Sequence, residues 1–276
     1  MNSDFQIPAL TVGVIIPVFN SGREAVGAIK SVVNQSKVLV QEIIVVDDGS
    51  SDDSVNFLRE SCRDLNILVR ILEIPNGGAA NARNHGMKNC SCDLYAFLDS
   101  DDVWFSEKLE QQLPLFTDPS VGMVGCSTTM GLGTVHRSIS NRTSQVIRLP
   151  QQLFKNYFQT STVIVRRHVV EVVGPFPLDQ RYAEEGDFFN RVAAQYKCIL
   201  LSEILVDYGC GKQGFGASGL SSNLIAMERG ELCNIRRSYR RGECGFGLHA
   251  VAISFSLIKF MRRIFITFIR RLPKKF

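Results

Sequence analysis

Ile43-Ile44-Val45-Val46-Asp47-Asp48-Gly49-Ser50-Ser51-Asp52 is the stretch that decides the fold class. Four consecutive aliphatic residues suit a strand covered on both faces, since a half-exposed strand would alternate apolar and polar. The acidic, Gly- and Ser-rich segment behind them reads as a loop. Upstream, Val14-Ile15-Ile16-Pro17 repeats the pattern: an apolar run over residues 12–17 closed by proline. Between the two, residues 24–34 carry Ala25, Ile29 and Val32 at helical spacing. Downstream, Ser54 opens a helix to about residue 62, 67–72 is a third strand, 79–89 a third helix and 94–98 a fourth strand. Strands alternating with helices imply an α/β fold, a mostly parallel sheet with helices on both faces. Ligands of such sheets sit beyond the carboxyl ends of the strands, where the loops after 12–17, 42–46 and 94–98 all lie.

Past residue 104 the pattern loosens. It predicts a helix over 107–116, a strand over 121–126, a polar loop over 130–144, a strand over 160–166, and helices over 168–173 and 184–194. A Gly-rich stretch at 209–219 precedes two C-terminal helices, roughly 221–241 and 249–272. The expected organisation is 1–105 and 106–208 as two halves of one domain, with 209–276 appended. The 276 residues are 45% hydrophobic and 21% charged, and carry a net charge of +4. No signal peptide is recognisable in the polar N-terminus, and the eight cysteines have no zinc spacing, so reduced thiols in a cytoplasmic compartment are expected. Seven basic residues and no acidic one lie from Lys259 to the end, leaving 24 basic and 27 acidic groups elsewhere. Basicity belongs to the tail, which argues against a nucleic-acid-binding body.

The most chemically loaded segment is Leu98-Asp99-Ser100-Asp101-Asp102-Val103-Trp104. Three carboxylates within four positions repel one another unless a divalent cation neutralises them, and oxygen donors suit Mg²⁺ or Mn²⁺. The competing explanation is an acidic cap on the following helix.

Four segments in order resemble glycosyltransferase family 2, the inverting enzymes with the GT-A, Rossmann-like fold. They are Val14-Ile15-Ile16-Pro17-Val18-Phe19-Asn20, the run from Ile43 to Asp52, Asn76-Gly77-Gly78-Ala79-Ala80-Asn81-Ala82-Arg83-Asn84-His85-Gly86, and the segment from Tyr95 to Trp104. The resemblance implies a nucleotide-sugar donor bound by Pro17, Phe19, Asn20, Asp48, Asn76, Gly78, Arg83, Asp99 and Ser100. Phe19 would pack on the base. Asp48 would accept a hydrogen bond from it, which suits the imide N–H of uracil because an ionised carboxylate only accepts. Asp101, with Asp99, would hold Mn²⁺ or Mg²⁺. Arg83 falls near the donor pocket, with an ion pair to a neighbouring acidic loop as its alternative role. Tyr182-Ala183-Glu184-Glu185-Gly186-Asp187 resembles the family's acidic motif, and by position Glu185 is the catalytic base, where Asp is usual. Glu184 and Asp187 are alternatives, as base or as anchors of the helix N-terminus. The implied acceptor is a hydroxyl of a growing, lipid-linked glycan in bacterial surface polysaccharide synthesis. Rivals are a sugar nucleotidyltransferase, which lacks its Gly-rich phosphate loop here, and a nucleotide-sugar-binding or scaffolding protein that has lost catalysis.

Two features remain. Gly214-Phe215-Gly216-Ala217-Ser218-Gly219 fits a dinucleotide-binding pattern but sits outside the first strand–helix–strand unit, so a lid over the donor phosphates with Lys212 in contact is expected instead. In the last helix, Lys259, Arg262, Arg263 and Arg270 cluster on one side, and Leu257, Met261, Ile264, Phe265, Phe268 and Leu272 on the other. That pattern suits an interfacial helix on an anionic membrane surface, giving a peripheral location on the inner face of the cell membrane. The alternative is a helix packed on the domain with its basic edge solvated.

Overall fold

The computed structural model describes residues 10–129, 143–209 and 223–271. The expected Gly-rich lid with Lys212 lies outside the described residues. The alternating unit runs β1 (Val12–Val18), α1 (Gly22–Val33), β2 (Glu42–Asp47), α2 (Ser54–Ser61), β3 (Val69–Glu73), α3 (Ala79–Asn89) and β4 (Leu94–Phe97). The rest comprises β5 (Val103–Trp104), α4 (Lys108–Gln112), β6 (Val121–Thr128), β7 (Ser144–Ile147), α5 (Leu149–Phe154), β8 (Ile164–Arg166), α6 (Arg167–Val173), α7 (Glu184–Gln195), β9 (Lys197–Asp207), α8 (Leu224–Arg240) and α9 (Phe246–Arg271).

One sheet with the order β3-β2-β1-β4-β8-β6-β9-β5 crosses the whole chain, with β7 also paired to β9. β1–β4, β6 and β9 run in one direction, and β5, β7 and β8 run against them. Every residue of β1 and β2 is buried, as their uninterrupted apolar runs require. Their side chains divide by pleat. Ile15, Ile44, Val46 and Phe97 enter one core with residues of α3 and α7, while Val14, Ile16, Ile43 and Val45 enter the other with residues of α1, α2 and α4. Each such buried side chain contributes roughly 1.5–3 kcal/mol, so the two cores fix the register that brings the ends of β1, β2 and β4 to one edge.

Three departures from the sequence pattern have local causes. The helix expected over 107–116 stops at Gln112 and continues as a 3₁₀ turn, Leu113–Thr117, because Pro114 removes a backbone donor. The strand expected over 160–166 begins only at Ile164; Thr160–Thr162 is a 3₁₀ turn whose central serine is used at the site below. The 11-residue β9, unanticipated, is split by Ser202-Glu203, and the register against β6 shifts there, from Cys126↔Leu201 to Ser127↔Ile204.

α9 packs on the body, but not as the packed alternative expected, which left its basic edge solvated. Lys259 donates to the Phe154 carbonyl at 2.7 Å, and Arg263 pairs with Glu231 of α8 at 3.0 Å, so part of the basic side docks on the body. The side left outward is the apolar one: Ile258 is 67% exposed, Met261 64% and Phe265 63%. Among the described residues no helix is long and apolar enough to cross a membrane.

Lys108 is fully buried, 3.9 Å from the Trp104 ring centroid, and its ammonium finds no hydrogen-bond partner among the described residues. Burial pushes its pKa down to about 8. Lys108→Met should therefore raise stability at pH 7 by on the order of 1–3 kcal/mol, the usual cost of an unmade buried hydrogen bond. Between about pH 8 and the ordinary lysine value the unfolded chain binds the extra proton, so the parent gains stability with rising pH and the advantage shrinks. Thermal melts at pH 7 and pH 9.5 check both signs. A lower melting point for the variant at pH 7 would make the ammonium on Trp104 a net stabiliser.

Candidate active site

The loops that end β1 and β2 are tied to each other before any ligand is considered. Asn20 adopts a left-handed backbone (φ 49°), donates its N–H to Ser50 Oγ at 2.8 Å, and accepts from the Ser51 N–H at 2.8 Å. Gly49 is also left-handed (φ 75°), and a Cβ there would lie 2.9 Å from the Asn76 nitrogen. Asp48 is buried and accepts the N–H groups of Gly77 at 2.8 Å and Gly78 at 2.7 Å, one on each oxygen. Asn76 closes the arrangement by donating to the Asp48 carbonyl at 2.9 Å. Each Asp48 oxygen keeps a second lone pair for a ligand.

These loops form one wall of a cavity of about 420 Å³, lined by Pro17, Phe19, Asp48, Arg83, Asp99, Ser100, Asp101, Glu184 and Glu185 among others. Of the residues expected to bind the donor, Asn20, Asn76 and Gly78 do not line it; Asn76 and Gly78 brace Asp48, and Asn20 ties the two loops together. Phe19 lines the cavity and is 50% exposed.

The three aspartates after β4 do not act alike. Asp102 is buried away from the cavity, accepting from the Ser161 hydroxyl and from the Gly209 N–H at 2.6 Å. Burial and repulsion from Asp99 push its pKa up to about 7. Ser161 also accepts the Asp99 N–H at 3.0 Å, and its carbonyl accepts from the Trp104 indole at 2.8 Å. Asp102 is thus a strut of the loop, while Asp99 and Asp101 face the cavity. Two cavity-facing carboxylates with hard oxygen donors fit a divalent ion that completes its shell from ligand phosphates and water, the usual habit of Mg²⁺.

On the opposite wall, α7 begins with Glu184, Glu185 and Asp187 in its first turn. Asp187 is consumed by Arg191 at 3.0 Å and Arg241 at 2.8 Å. Glu184 is buried against Arg83 at 3.4 Å, and Arg83 reaches Asp99 at 2.7 Å with its other nitrogen. Burial opposes the Arg83 charge, but Asp99 and Glu184 outweigh it and raise its pKa. Both roles suggested for Arg83 coincide: it is an ion-pair partner and a cavity wall. Glu185 accepts a long hydrogen bond from Asn156 at 3.5 Å and has no salt bridge among the described residues, and burial together with the Glu184 charge pushes its pKa up to about 7.

Sequence motifs did not reveal Ser161, Gln159, Arg181, Tyr208 or Met227, all but Ser161 of which line the cavity. Burial and the nearby Asp102 carboxylate push Tyr208 up to about 12, so it stays a hydroxyl donor. His249 stacks on Tyr239 with ring centroids 4.6 Å apart.

Over residues 13–173 the chain matches the family model described as Glycosyl transferase family 2. It is 30% identical over 194 residues to the minor teichoic acid biosynthesis protein GgaA of Bacillus subtilis, covering 67% of this chain and 43% of that protein. Among solved structures, S. aureus TarS 1-349 in complex with UDP aligns with a TM-score of 0.65 at 18% identity, over 90% of this chain and 71% of that one. The mannosyltransferase PcManGT from Pyrobaculum calidifontis, in complex with GDP-Man and Mn²⁺, aligns with a TM-score of 0.67 at 17% identity, over 90% and 73%. The two solved structures share the fold. The curated relatives matched at 42–43% identity are much longer, and this chain spans 14–16% of their length.

Removing Arg83 would strand buried negative charge. Arg83→Leu is expected to cost roughly 3–5 kcal/mol, as for other broken buried ion pairs. Arg83→Lys should recover only part, because an ammonium cannot fork between two carboxylates. Urea unfolding midpoints measure this; a midpoint unchanged in the Leu variant would mean the pairs contribute nothing to the fold.

Proposed function

Because the chain belongs to glycosyl transferase family 2, we propose that it is an inverting glycosyltransferase, moving a sugar from a nucleotide diphosphate, UDP foremost, to a hydroxyl of a growing glycan. The observation that carries this is one cavity walled on one side by Phe19 and Asp48 and on the other by Glu185. The base of the nucleotide would stack on Phe19 and donate to Asp48, placing its diphosphate toward Asp99 and Asp101. The acceptor hydroxyl would approach from the Glu185 side. Its oxygen bonds to the anomeric carbon as the bond from that carbon to the phosphate oxygen breaks, and Glu185 takes the hydroxyl proton. Attack from the face opposite the leaving nucleotide inverts the anomeric centre. A divalent ion at Asp99 and Asp101 would neutralise charge on the departing diphosphate.

Glu185 is favoured over its neighbours because Asp187 is held by two arginines and Glu184 by Arg83. The teichoic acid biosynthesis named for GgaA supports a cell-surface glycan as product, and the GDP-Man bound to PcManGT supports a nucleotide-sugar donor. The outward apolar side of α9 supports a peripheral seat on an anionic membrane surface, with Ile258, Met261 and Phe265 as the contact.

Asp101→Asn removes one charge at nearly constant volume. UDP affinity, measured by titration calorimetry with and without Mn²⁺, should lose its metal dependence in this variant. An unaltered Mn²⁺ dependence would remove Asp101 from the metal site.

Glu185→Gln should slow transfer by on the order of 10²–10⁴ while leaving nucleotide-sugar affinity nearly intact. In the parent the active form is the carboxylate, so the rate should rise with pH and level off. The midpoint should lie between the ordinary glutamate value and about 7, lower when a cation sits nearby. Initial rates from pH 4.5 to 8.5 test this, and a flat profile would exclude Glu185 as the titrating base.

A further inference from the structure

A second cavity, about 540 Å³, opens from the first and has Gln159, Glu185 and Tyr208 as shared walls. Its far side is cationic: Lys155 follows α5, and Lys259, Arg262 and Arg263 come from α9. The carboxylates on its walls are Glu185 and Glu231. Glu231 already serves two cations, Arg263 at 3.0 Å and Lys259 at 3.6 Å. Arg262 and Lys155 have no carboxylate partner among the described residues, and both are exposed. Positive charge is therefore in excess at the end of the cavity remote from the donor.

The orientation of α9 is a second, independent observation. An amphipathic helix on a globular body ordinarily buries its apolar stripe. Here Lys259 and Arg263 point inward with Ala252 and Ser256, while Ile258, Met261 and Phe265 face out. Glu231 and the Phe154 carbonyl hold Lys259 and Arg263 in that orientation, which leaves Arg262 on the same cavity wall with no carboxylate partner among the described residues.

We propose that this second cavity is the acceptor subsite and that it recognises a phosphate group carried by the acceptor. The acceptor is then a phosphorylated compound with its reacting hydroxyl at Glu185 and its phosphate at Lys155 and Arg262. This rests on Glu185 being the end at which the acceptor reacts. An uncharged glycan would leave the cations unmatched, whereas a phosphate offers several acceptor oxygens to guanidinium and ammonium donors. The same chemistry serves a water-soluble polyol phosphate and a lipid-linked phosphate.

The full chain, with UDP and Mn²⁺ present so that the donor cavity is filled, is titrated calorimetrically with two matched pairs: glycerol 3-phosphate against glycerol, and farnesyl phosphate against farnesol. In at least one pair the phosphate form should bind roughly tenfold or more tightly, and the preference should weaken with salt. The exposed pair Lys155→Glu with Arg262→Glu should abolish the preference, with a thermal melt showing that the double variant is folded. Lys155→Gln with Arg262→Gln repeats the test with neutral side chains. Preference within the glycerol pair assigns a soluble polyol phosphate, and preference within the farnesyl pair a lipid-linked one. Equal binding within both pairs, or a preference that survives both double variants, overturns the proposal. A separate UDP titration with Mn²⁺ reports on the donor assignment alone, so failure there leaves the phosphate result to stand or fall by itself.

Discussion

Negative charge crowded around one enclosed guanidinium is the constraint on which this architecture turns. Asp99, Asp101, Asp102, Glu184 and Glu185 all lie near the carboxyl edge of the sheet, and Arg83 is the buried cation among them. Like charges a few ångströms apart in a partly dry site repel by several kcal/mol, so each carboxylate needs its own resolution. Asp102 is resolved by Ser161 and the Gly209 amide, which only partly offset the burial and the Asp99 charge that raise its pKa. Asp99 and Glu184 are resolved by Arg83, which thereby links α3, the loop after β4 and the start of α7. Asp101 and Glu185 line the cavity, where the proposed cation and the acceptor's proton would be their counterparts.

The geometry of α7 depends in turn on the helices beyond the sheet. Ala183, just before α7, is left-handed (φ 55°), which costs a non-glycine residue about 1–2 kcal/mol. Asn234 of α8 offsets that cost by donating to the Ala183 carbonyl at 2.7 Å, and it accepts from Gln180 at 2.9 Å. Gly230 permits the approach, since a Cβ there would lie 2.2 Å from the Tyr182 carbonyl oxygen. What looked in sequence like an appendage is the clamp that aims the acidic turn.

How much was legible followed from where the information lay. β1, β2 and β4 are buried on both faces, so their apolar runs announce themselves, and the carboxylates that end them fall within contiguous motifs. β9 lies nearer the sheet edge with a mixed burial pattern, and Ser202-Glu203 breaks its apolar run into two pieces too short to stand out. Ser161, Tyr208 and Asn234 act through partners more than fifty residues away or through cavity walls, and no local pattern marks such residues. The helical wheel of α9 separated its two faces correctly. Which face docks depends on Glu231 and the Phe154 carbonyl, and the wheel contains neither.

The pair Glu184-Glu185 shows why adjacency can divide labour between identical side chains. Successive residues on a helix project about 100° apart, so only one of the two can face Arg83. Glu184 does, and is held there. Glu185 is turned by that same rotation toward the junction of the two cavities, with no salt bridge among the described residues, and burial and the Glu184 charge raise its pKa against the weaker pull of Arg83. A group ionised with difficulty holds a proton well once it has taken one, which is what a base at a transferring hydroxyl requires. The strut and the proposed base are therefore set by one helix turn, and moving Arg83 would disturb both.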